Sequence, residues 1–258
     1  MSEPIFCEIQ GGVAVVTLNN PPLNLVTLEL TRALDATLDR LAADPEARVL
    51  VLTGAGDRAF CAGSDIKEFP EVADDVIGKK LALENQAYSK VDGFPKPTIA
   101  AVRGLAYGGG LELAVCCDLI VVEEGARFAL PEVKLGVFPG SGGTVRVTRR
   151  VGEGRAKEMM FFGEPISPET ALSWGLINRI TPRGEALAVA REMAATLAER
   201  PNKALQLCKQ AIDLSFDVAE DEAIRRSLAL SDAAFQTEDC KEGVRAFFAR
   251  ETPKFRHG

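Results

Sequence analysis

The positions of apolar residues along the chain predict a succession of strands and helices. Two apolar segments, 5–10 (IFCEIQ) and 13–18 (VAVVTL), flank the pair Gly11-Gly12, which predicts two β-strands joined by a turn. From Thr27 to about Ala43, leucines recur near helical spacing, which predicts an amphipathic helix. These leucines are Leu28, Leu30, Leu34, Leu38 and Leu41.

Three later apolar segments have the composition of buried strands. They are 47–54 (ARVLVLTG), 97–104 (PTIAAVRG) and 118–124 (DLIVVEE), and each follows a segment that can be helical. Strands that alternate with helices are typical of a buried, largely parallel sheet. The predicted fold class is therefore α/β.

Beyond Gly152 the pattern becomes almost entirely helical, apart from a short strand predicted in the segment LINRIT (176–181). We expect a core over residues 1–199 that carries the ligand site, followed by a helical region over residues 200–258. A helical region of this kind packs either on its own core or, through an apolar stripe, against another subunit.

Composition and charge narrow the class of protein. The 258 residues are 47% apolar and 26% charged, as is ordinary for a globular protein. The net charge of −7 disfavours nucleic acid as the main partner, because phosphate backbones attract basic surfaces. The segment 1–10 (MSEPIFCEIQ) lacks the pattern of a signal peptide, and no stretch reaches membrane-spanning length. We therefore expect a cytoplasmic protein without membrane attachment, with an organelle matrix as the alternative if a transit peptide has been removed.

The rarity of histidine excludes several catalytic classes. His257 is the only histidine, which removes Ser-His-Asp triads and histidine-based zinc sites from consideration. The six cysteines lack C-x-x-C spacing, so neither a disulfide framework nor a metal site is expected. Acid–base chemistry must depend on other side chains or on backbone donors.

A dinucleotide-binding motif is present only in part. Gly54, Gly56 and Ala59 follow a predicted strand with G-x-G-x-x-A spacing. In a Rossmann fold this loop opens directly into a helix, whereas segment 60–63 (FCAG) is expected to remain extended or to turn. We therefore expect no nicotinamide or flavin cofactor.

Two glycine turns have the pattern of anion-binding sites. Gly63 precedes Ser64 and a short helical pattern that starts at Asp65, and Gly109 opens an apolar helix after another predicted strand. The first amides of a helix have no intrahelical acceptor, so they can stabilise an oxyanion. The alternative at the first turn is a simple strand-to-helix connection capped by Asp65.

Two glutamates occur in apolar surroundings beside these turns. Glu112 lies in the segment 107–118 (YGGGLELAVCCD), and Glu132 follows Pro131 ahead of a glycine-rich turn. A capping-box role for Glu112 would require a side chain at Gly109, so we expect burial and a raised pKa instead. Two such carboxyl groups and two sets of amide donors fit enolate chemistry next to a carbonyl. The segment 140–144 (GSGGT) could instead bind phosphate, but it lacks the GK[ST] ending of a P-loop.

Three segments together resemble the enoyl-CoA hydratase (crotonase) family. They are 58–69 (RAFCAGSDIKEF), 104–121 (GLAYGGGLELAVCCDLIV) and 126–152 (ARFALPEVKLGVFPGSGGTVRVTRRVG), and the resemblance extends over nearly the whole chain. It implies a crotonase-like spiral of repeated ββα units with a C-terminal helical trimerisation region. It also implies a homotrimer, or a homohexamer built as a dimer of trimers.

The resemblance further implies the role of individual residues. The oxyanion hole for the thioester would consist of the amides of Ser64 and Gly109, and Ser64 stands where alanine is commoner. Glu112 and Glu132 match the two catalytic carboxyl groups. The substrate-binding residues would be Ser64, Asp65, Ile66, Lys67, Gly109 and Gly140, the last with an amide that helps to hold the water. No cofactor is implied, because coenzyme A is part of the acyl-CoA substrate.

The reaction implied is the reversible addition of water across the 2,3-double bond of an enoyl-CoA. By analogy with the family, Glu132 exchanges a proton with the α-carbon while Glu112 activates the water. The presence of both glutamates favours hydration or dehydration over isomerisation. The alternatives are a carnitinyl-CoA dehydratase-like activity, an enoyl-CoA isomerase and, in a different class, a non-catalytic binding module such as an RNA-binding relative.

Overall fold

The computed structural model describes residues 3–257, which form two β-sheets surrounded by helices. In the larger sheet the strand order is β1-β2-β3-β5-β7-β9, and in the smaller it is β4-β6-β8. The strands are β1 (Ile5–Gln10), β2 (Val13–Leu18), β3 (Val49–Gly54), β4 (Ala59–Cys61), β5 (Thr98–Val102), β6 (Leu105–Tyr107), β7 (Leu119–Glu123), β8 (Arg127–Ala129) and β9 (Arg179–Thr181).

The pairing of the strands confirms the predicted α/β class. Strands β1 and β2 form the expected antiparallel hairpin, and every other pairing in the two sheets is parallel. All residues of β3 and β5 are buried, which explains their continuous apolar sequences: helices or the second sheet cover both of their faces.

Helices occupy most of the remaining chain. They are α1 (Leu28–Ala43), α2 (Phe69–Val72), α3 (Ala82–Asp92), α4 (Gly109–Ala114), α5 (Gly143–Val151), α6 (Glu153–Phe162), α7 (Pro168–Ser173), α8 (Ala186–Ala198), α9 (Asn202–Asp217), α10 (Glu220–Phe235) and α11 (Glu238–Ala249). Two 3₁₀ turns, Ile66–Glu68 and Glu132–Leu135, and a π-helical turn, Ile77–Leu81, complete the set of named elements.

Helix α1 shows how local sequence determines an element. The hydroxyl of Thr27 accepts a hydrogen bond from the amide of Leu30 at 3.1 Å and caps the helix. Leu30, Leu34, Leu38 and Leu41 are all buried, as the spacing of the leucines predicts. The helix therefore starts and faces the core as the pattern indicates.

The chain repeats a unit of two strands and a helical segment. In the pairs β3/β4, β5/β6 and β7/β8, the first strand joins the larger sheet and the second joins the smaller one. A helical segment follows each pair, beginning at Ile66, Gly109 and Glu132 respectively. This succession of ββα units confirms the expected spiral.

The smaller sheet was not predicted from apolar spacing alone. Strands β4, β6 and β8 contain three residues each, too few to display a period of two. The structure also shows why no Rossmann loop forms after Gly54, because the chain turns and enters β4 instead of a helix.

The helices predicted after Gly152 are confirmed, including the three that end the chain. Several large apolar side chains of this region are exposed in the single chain, namely Phe216, Ile224, Leu228, Phe235, Phe247 and Phe248. Between residues 3 and 257, no helix is long and apolar enough to cross a membrane.

Helix α4 depends on a close backbone approach to β4. A Cβ atom at Gly110 would overlap the carbonyl group of Cys61. We predict that Gly110→Ala lowers the free energy of unfolding by about 1–3 kcal/mol, as overpacking does in other cores. Urea unfolding of the purified variant measures the change.

The matched control is Gly154→Ala in α6, where no atom lies within 4 Å of the added Cβ. This change should be neutral or stabilise the protein by up to about 1 kcal/mol, since alanine is the better helix former. Equal effects of the two substitutions would contradict the close-approach explanation.

Candidate active site

The two glycine turns meet where α4 begins. Gly63 has a φ of 100°, and a Cβ there would lie 3.1 Å from the Tyr107 carbonyl oxygen and 3.7 Å from the Gly109 nitrogen. A side chain at Gly63 would therefore be strained and would crowd the start of α4. The structure thus brings together two segments that are more than forty residues apart in the sequence.

The amides of Ser64 and Gly109 are both available to a ligand. Ser64 forms a parallel bridge with Val26, but the bridge uses the Gly63 carbonyl and the Asp65 amide. Gly109 is the first residue of α4, so its amide has no intrahelical acceptor. The position of a Cβ on Gly109 is 3.8 Å from the Ser64 nitrogen, which places the two backbones side by side.

Tyr88 orients the peptide that follows Gly109. Its hydroxyl donates a hydrogen bond to the Gly109 carbonyl oxygen at 2.9 Å, and the ring is buried. Burial raises the pKa of Tyr88 well above its usual value, with smaller contributions from the carboxylates of Glu84 and Glu112. The phenol therefore remains a donor at neutral pH.

Glu112 is buried in α4, with only 3% of its surface exposed, as its apolar neighbours predict. Its carboxylate oxygen Oε1 accepts hydrogen bonds from the amides of Ser141 and Gly143, each at 2.8 Å. Both donors act on one oxygen, and among residues 3–257 none donates a hydrogen bond to Oε2. The turn from 140 to 143 therefore anchors Glu112 by one oxygen and leaves the other for chemistry.

The environment of Glu112 moves its titration to neutral pH. Burial is the largest effect and raises the pKa of the carboxyl group to about 7. The amides of Gly143 and Ser141 lower this pKa, while the negative charges of Glu132 and Glu84 raise it. A carboxyl group that titrates near 7 can act as acid or base at physiological pH.

Glu132 opens the 3₁₀ turn after Pro131, and its side chain lies beside the second glycine turn. A Cβ at Gly108 would lie 3.0 Å from its Oε1, so only glycine fits there, at a φ of 51°. Both carboxyl oxygens are buried and receive no hydrogen bond within the described part of the chain. Burial raises the pKa of Glu132, because surroundings of low polarity disfavour the charged form of the carboxyl group.

The remaining predicted site residues lie around this centre. Asp65 caps the 3₁₀ turn by accepting a hydrogen bond from the Lys67 amide at 3.0 Å, so the capping alternative also holds. Ile66 and Lys67, in the same 3₁₀ turn, are exposed. The Gly140 carbonyl oxygen accepts a hydrogen bond from Asn85 at 2.9 Å, which fixes the turn that anchors Glu112.

Sequence patterns missed the polar side chains behind the glutamates. Lys80, Glu84 and Tyr88 are spaced by four residues, and all three are buried. That spacing places side chains on one helical face and could have indicated a polar face turned towards the core. The many charged residues around them predict a solvent-exposed helix instead.

Comparison with known proteins assigns the chain to a family. A family model described as enoyl-CoA hydratase/isomerase matches residues 8–258. The chain belongs to the enoyl-CoA hydratase/isomerase family. The fold agrees with this assignment: the crystal structure of an enoyl-CoA hydratase from Bacillus anthracis superposes with a TM-score of 0.95 at 32% identity, covering 99% of this chain and 100% of that one.

Relatives within the enoyl-CoA hydratase/isomerase family match along nearly their full length. The short-chain-enoyl-CoA hydratase of Clostridium acetobutylicum is 37% identical over 248 residues, which cover 95% of each protein. The 2,3-dehydroadipyl-CoA hydratase of Escherichia coli is 38% identical over 257 residues, which cover 99% of each protein.

The raised pKa of Glu112 predicts a pH-dependent loss of stability. In the unfolded chain the carboxyl group titrates near 4.5, but in the fold near 7. Between these values the unfolded state loses its proton first, so the wild type loses stability as pH rises towards 7. Glu112→Gln cannot ionise at this position and should escape this loss. As pH rises, its free energy of unfolding should therefore increase relative to that of the wild type, by the order of a few kcal/mol above pH 7.

Urea unfolding of both proteins at about pH 5 and about pH 8 tests this expectation, since the two values bracket most of the titration. The control is Glu124→Gln, because Glu124 is exposed and should show no such dependence. A stability difference between Glu112→Gln and wild type that is the same at both pH values would show that Glu112 titrates normally.

Proposed function

We propose that the chain is an enoyl-CoA hydratase that adds water reversibly across the 2,3-double bond of an enoyl-CoA thioester. The observation that carries the proposal is the contrast between the hydrogen-bond environments of Glu112 and Glu132. Glu112 is held through one oxygen by two amides, whereas neither oxygen of Glu132 has a protein partner among residues 3–257. Hydration needs two such groups, one that takes a proton from water and one that gives a proton to carbon.

The thioester oxygen binds between the amides of Ser64 and Gly109. Negative charge develops on this oxygen when water attacks the β-carbon, and the two donors stabilise the resulting enolate. Loss of one such donor costs about 2.7–4 kcal/mol in other enzymes. The adjacency of the Ser64 and Gly109 backbones supports this assignment. The exposed residues Ile66 and Lys67 follow Ser64 directly and are proposed to contact the rest of the acyl-CoA.

The proton transfers follow from the surroundings of each glutamate. Hydrogen bonds from two amides favour the anion of Glu112, so its free oxygen removes a proton from water as the water oxygen bonds to the β-carbon. Glu132, which lacks donors, carries a proton and delivers it to the α-carbon. The two groups titrate as a coupled pair, and the amides favour the first negative charge on Glu112.

The presence of both groups supports hydration, or dehydration in reverse, over isomerisation, because an isomerase must move a proton without adding water. A carnitinyl-CoA dehydratase-like reaction uses the same machinery and remains the second candidate. The names of the relatives point to short-chain or carboxylated enoyl-CoA substrates. The acidic net charge, −7, disfavours the RNA-binding alternative.

The proposed roles predict the effect of removing either carboxyl group. Glu112→Gln and Glu132→Gln should each lower kcat for crotonyl-CoA hydration by about 10²–10⁴-fold, since each removes a general acid or base. Binding of butyryl-CoA, which has no double bond to hydrate, should remain close to that of the wild type. Loss of the conjugated-thioester absorbance measures kcat, and calorimetry measures binding.

The control for these variants is Glu124→Gln, which removes an exposed carboxylate and should leave kcat unchanged. Wild-type turnover by either site variant would remove that glutamate from the mechanism. If the wild type consumed no enoyl-CoA across short, medium and branched substrates, the hydratase assignment itself would be wrong.

We also propose a homotrimer or a dimer of trimers in which the helices after residue 200 bury apolar surface. Phe235, Phe247 and Phe248 are each at least 70% exposed in the single chain. Exposed apolar patches of this kind mark contact surfaces. The proposed reaction uses no cofactor, since coenzyme A is part of the substrate. The proposed location of the reaction is the cytoplasm.

Light scattering after size exclusion should give three or six times the mass of the chain. Leu228→Glu should lower this mass, because it places a charge on the exposed apolar side of α10. The matched control is Ser231→Glu on the same helix, at a position that is exposed but polar. A wild-type monomer at micromolar concentration would overturn the assembly.

A further inference from the structure

A second buried group of charges lies behind the glutamate pair. Lys80, in the π-helical turn, is 2% exposed, and Glu84, in α3, is 1% exposed. Lysine and glutamate are almost never fully buried unless they are paired. The mechanism proposed above uses neither side chain, so their burial requires a separate explanation.

These side chains form a continuous polar network. The ammonium of Lys80 lies 3.0 Å from Oε1 of Glu84 and 2.8 Å from Oε2 of Glu68. Burial alone lowers the pKa of Lys80, but the two carboxylates outweigh it and raise the pKa. Lys80 is therefore a cation at neutral pH, and Glu84 is held against it.

Glu84 also accepts hydrogen bonds from two serines. Its Oε2 accepts one from the Ser141 hydroxyl at 2.7 Å, and its Oε1 accepts a longer one from the Ser64 hydroxyl at 3.4 Å. Each serine has a second function through its backbone: the Ser141 amide donates to Glu112, and the Ser64 amide faces the proposed thioester oxygen. One carboxylate therefore contacts both halves of the site.

Stability does not account for this arrangement. Apolar residues of similar volume often replace a buried ion pair with no loss of stability, or with a gain. An ion pair that only fastened the π-helical turn to α3 would need Lys80 and Glu84 but no contact with Ser141. The short hydrogen bond to Ser141 points instead to a role in placing the turn that anchors Glu112.

We propose that Glu84 is a positioning residue that, through Ser141 and Ser64, sets the spacing between the anchored carboxylate of Glu112 and the oxyanion donors. The inference rests on the proposed hydratase function and deepens it. Glu84 acts through the serines and does not touch substrate. Misplacement of catalytic groups by about 1 Å can lower the rate about 10²-fold, so such a residue has a measurable effect.

The charge of Glu84 has a second effect, on the titration of Glu112. Removal of a negative charge near Glu112 stabilises its anion, so Glu84→Gln should move the acidic limb of the kcat/KM profile to lower pH. Ser141→Ala retains the charge of Glu84 and the Ser141 amide, so it should leave the limb in place. The other groups that face Glu112 are unchanged in both variants: Glu132, Tyr88, Cys116, Arg146 and the amide of Gly143.

The experiment compares Glu84→Gln, Ser141→Ala and the double variant with crotonyl-CoA as substrate. Each single change should lower kcat by about tenfold or more with little change in KM. The double variant should be little worse than Glu84→Gln, because both changes act on the same hydrogen bond: the first removes the charge of its acceptor and the second removes its donor. Wild-type kcat and an unmoved pH limb in Glu84→Gln would overturn the proposal. It would also be overturned if the loss of kcat in the double variant equalled the product of the losses in the two single variants.

Glu123→Gln is the matched control for burial. Glu123 is also a buried carboxylate, 5% exposed, but it accepts hydrogen bonds from the Gly104 and Gly184 amides and contacts neither serine. It should lower stability without moving the pH limb. If Glu84→Gln fails to fold, Ser141→Ala decides: a loss of kcat supports the proposal, and wild-type kcat overturns it.

A measurement that involves no turnover tests the positioning role of Glu84 independently of the proposed hydratase activity. The infrared stretch of the thioester carbonyl in bound butyryl-CoA reports the hydrogen bonds made by the Ser64 and Gly109 amides. In Glu84→Gln and in Ser64→Ala the band should shift to higher wavenumber, because the carbonyl is less polarised. A band at the wild-type position in both variants would refute positioning of the oxyanion donors, even if the enzyme hydrates crotonyl-CoA normally.

Discussion

The hydrogen bonds from two backbone amides to one oxygen of Glu112 are the constraint on which the site depends. A carboxylate on an apolar helix would ordinarily be excluded from the core, since desolvation penalises the charge by several kcal/mol. The amides of Ser141 and Gly143 offset part of that penalty and fix the side chain at the same time. Every other part of the site is arranged relative to this anchored group.

Glycines make that arrangement sterically possible. A Cβ at Gly143 would lie 2.7 Å from Cγ of Glu112, so the amide can reach the carboxylate only because no side chain is present. Gly108 admits Glu132 in the same way, and Gly63 admits the start of α4. The glycine-rich segments therefore serve close approach between backbone and side chain more than flexibility.

Much of the fold and of the candidate site could be predicted from local sequence. The strands β1, β2, β3, β5 and β7 have apolar segments long enough to be recognised, and the leucines of α1 recur at helical spacing. Glu112 is surrounded by apolar residues within one helix. Strands of three residues carry no period, so β4, β6 and β8 emerge only with the complete fold. Lys80 and Glu84 lie in a strongly charged segment, where their spacing of four residues does not by itself distinguish a buried polar face from an exposed one. Their partners, Glu68 and Ser141, lie too far along the chain for local patterns to connect them.

The short length of α4 determines how an anion near Gly109 would be held. With six residues the helix has fewer than two turns, so its summed dipole contributes little. An anion is therefore held by hydrogen bonds from individual N–H groups. Hydrogen bonds weaken steeply with distance and angle, whereas a long helix acts as a broad field. A site of this kind distinguishes ligands by the position of their negative charge, to within about one bond length. Because its donors are partly buried, the affinity for the anion changes little with ionic strength.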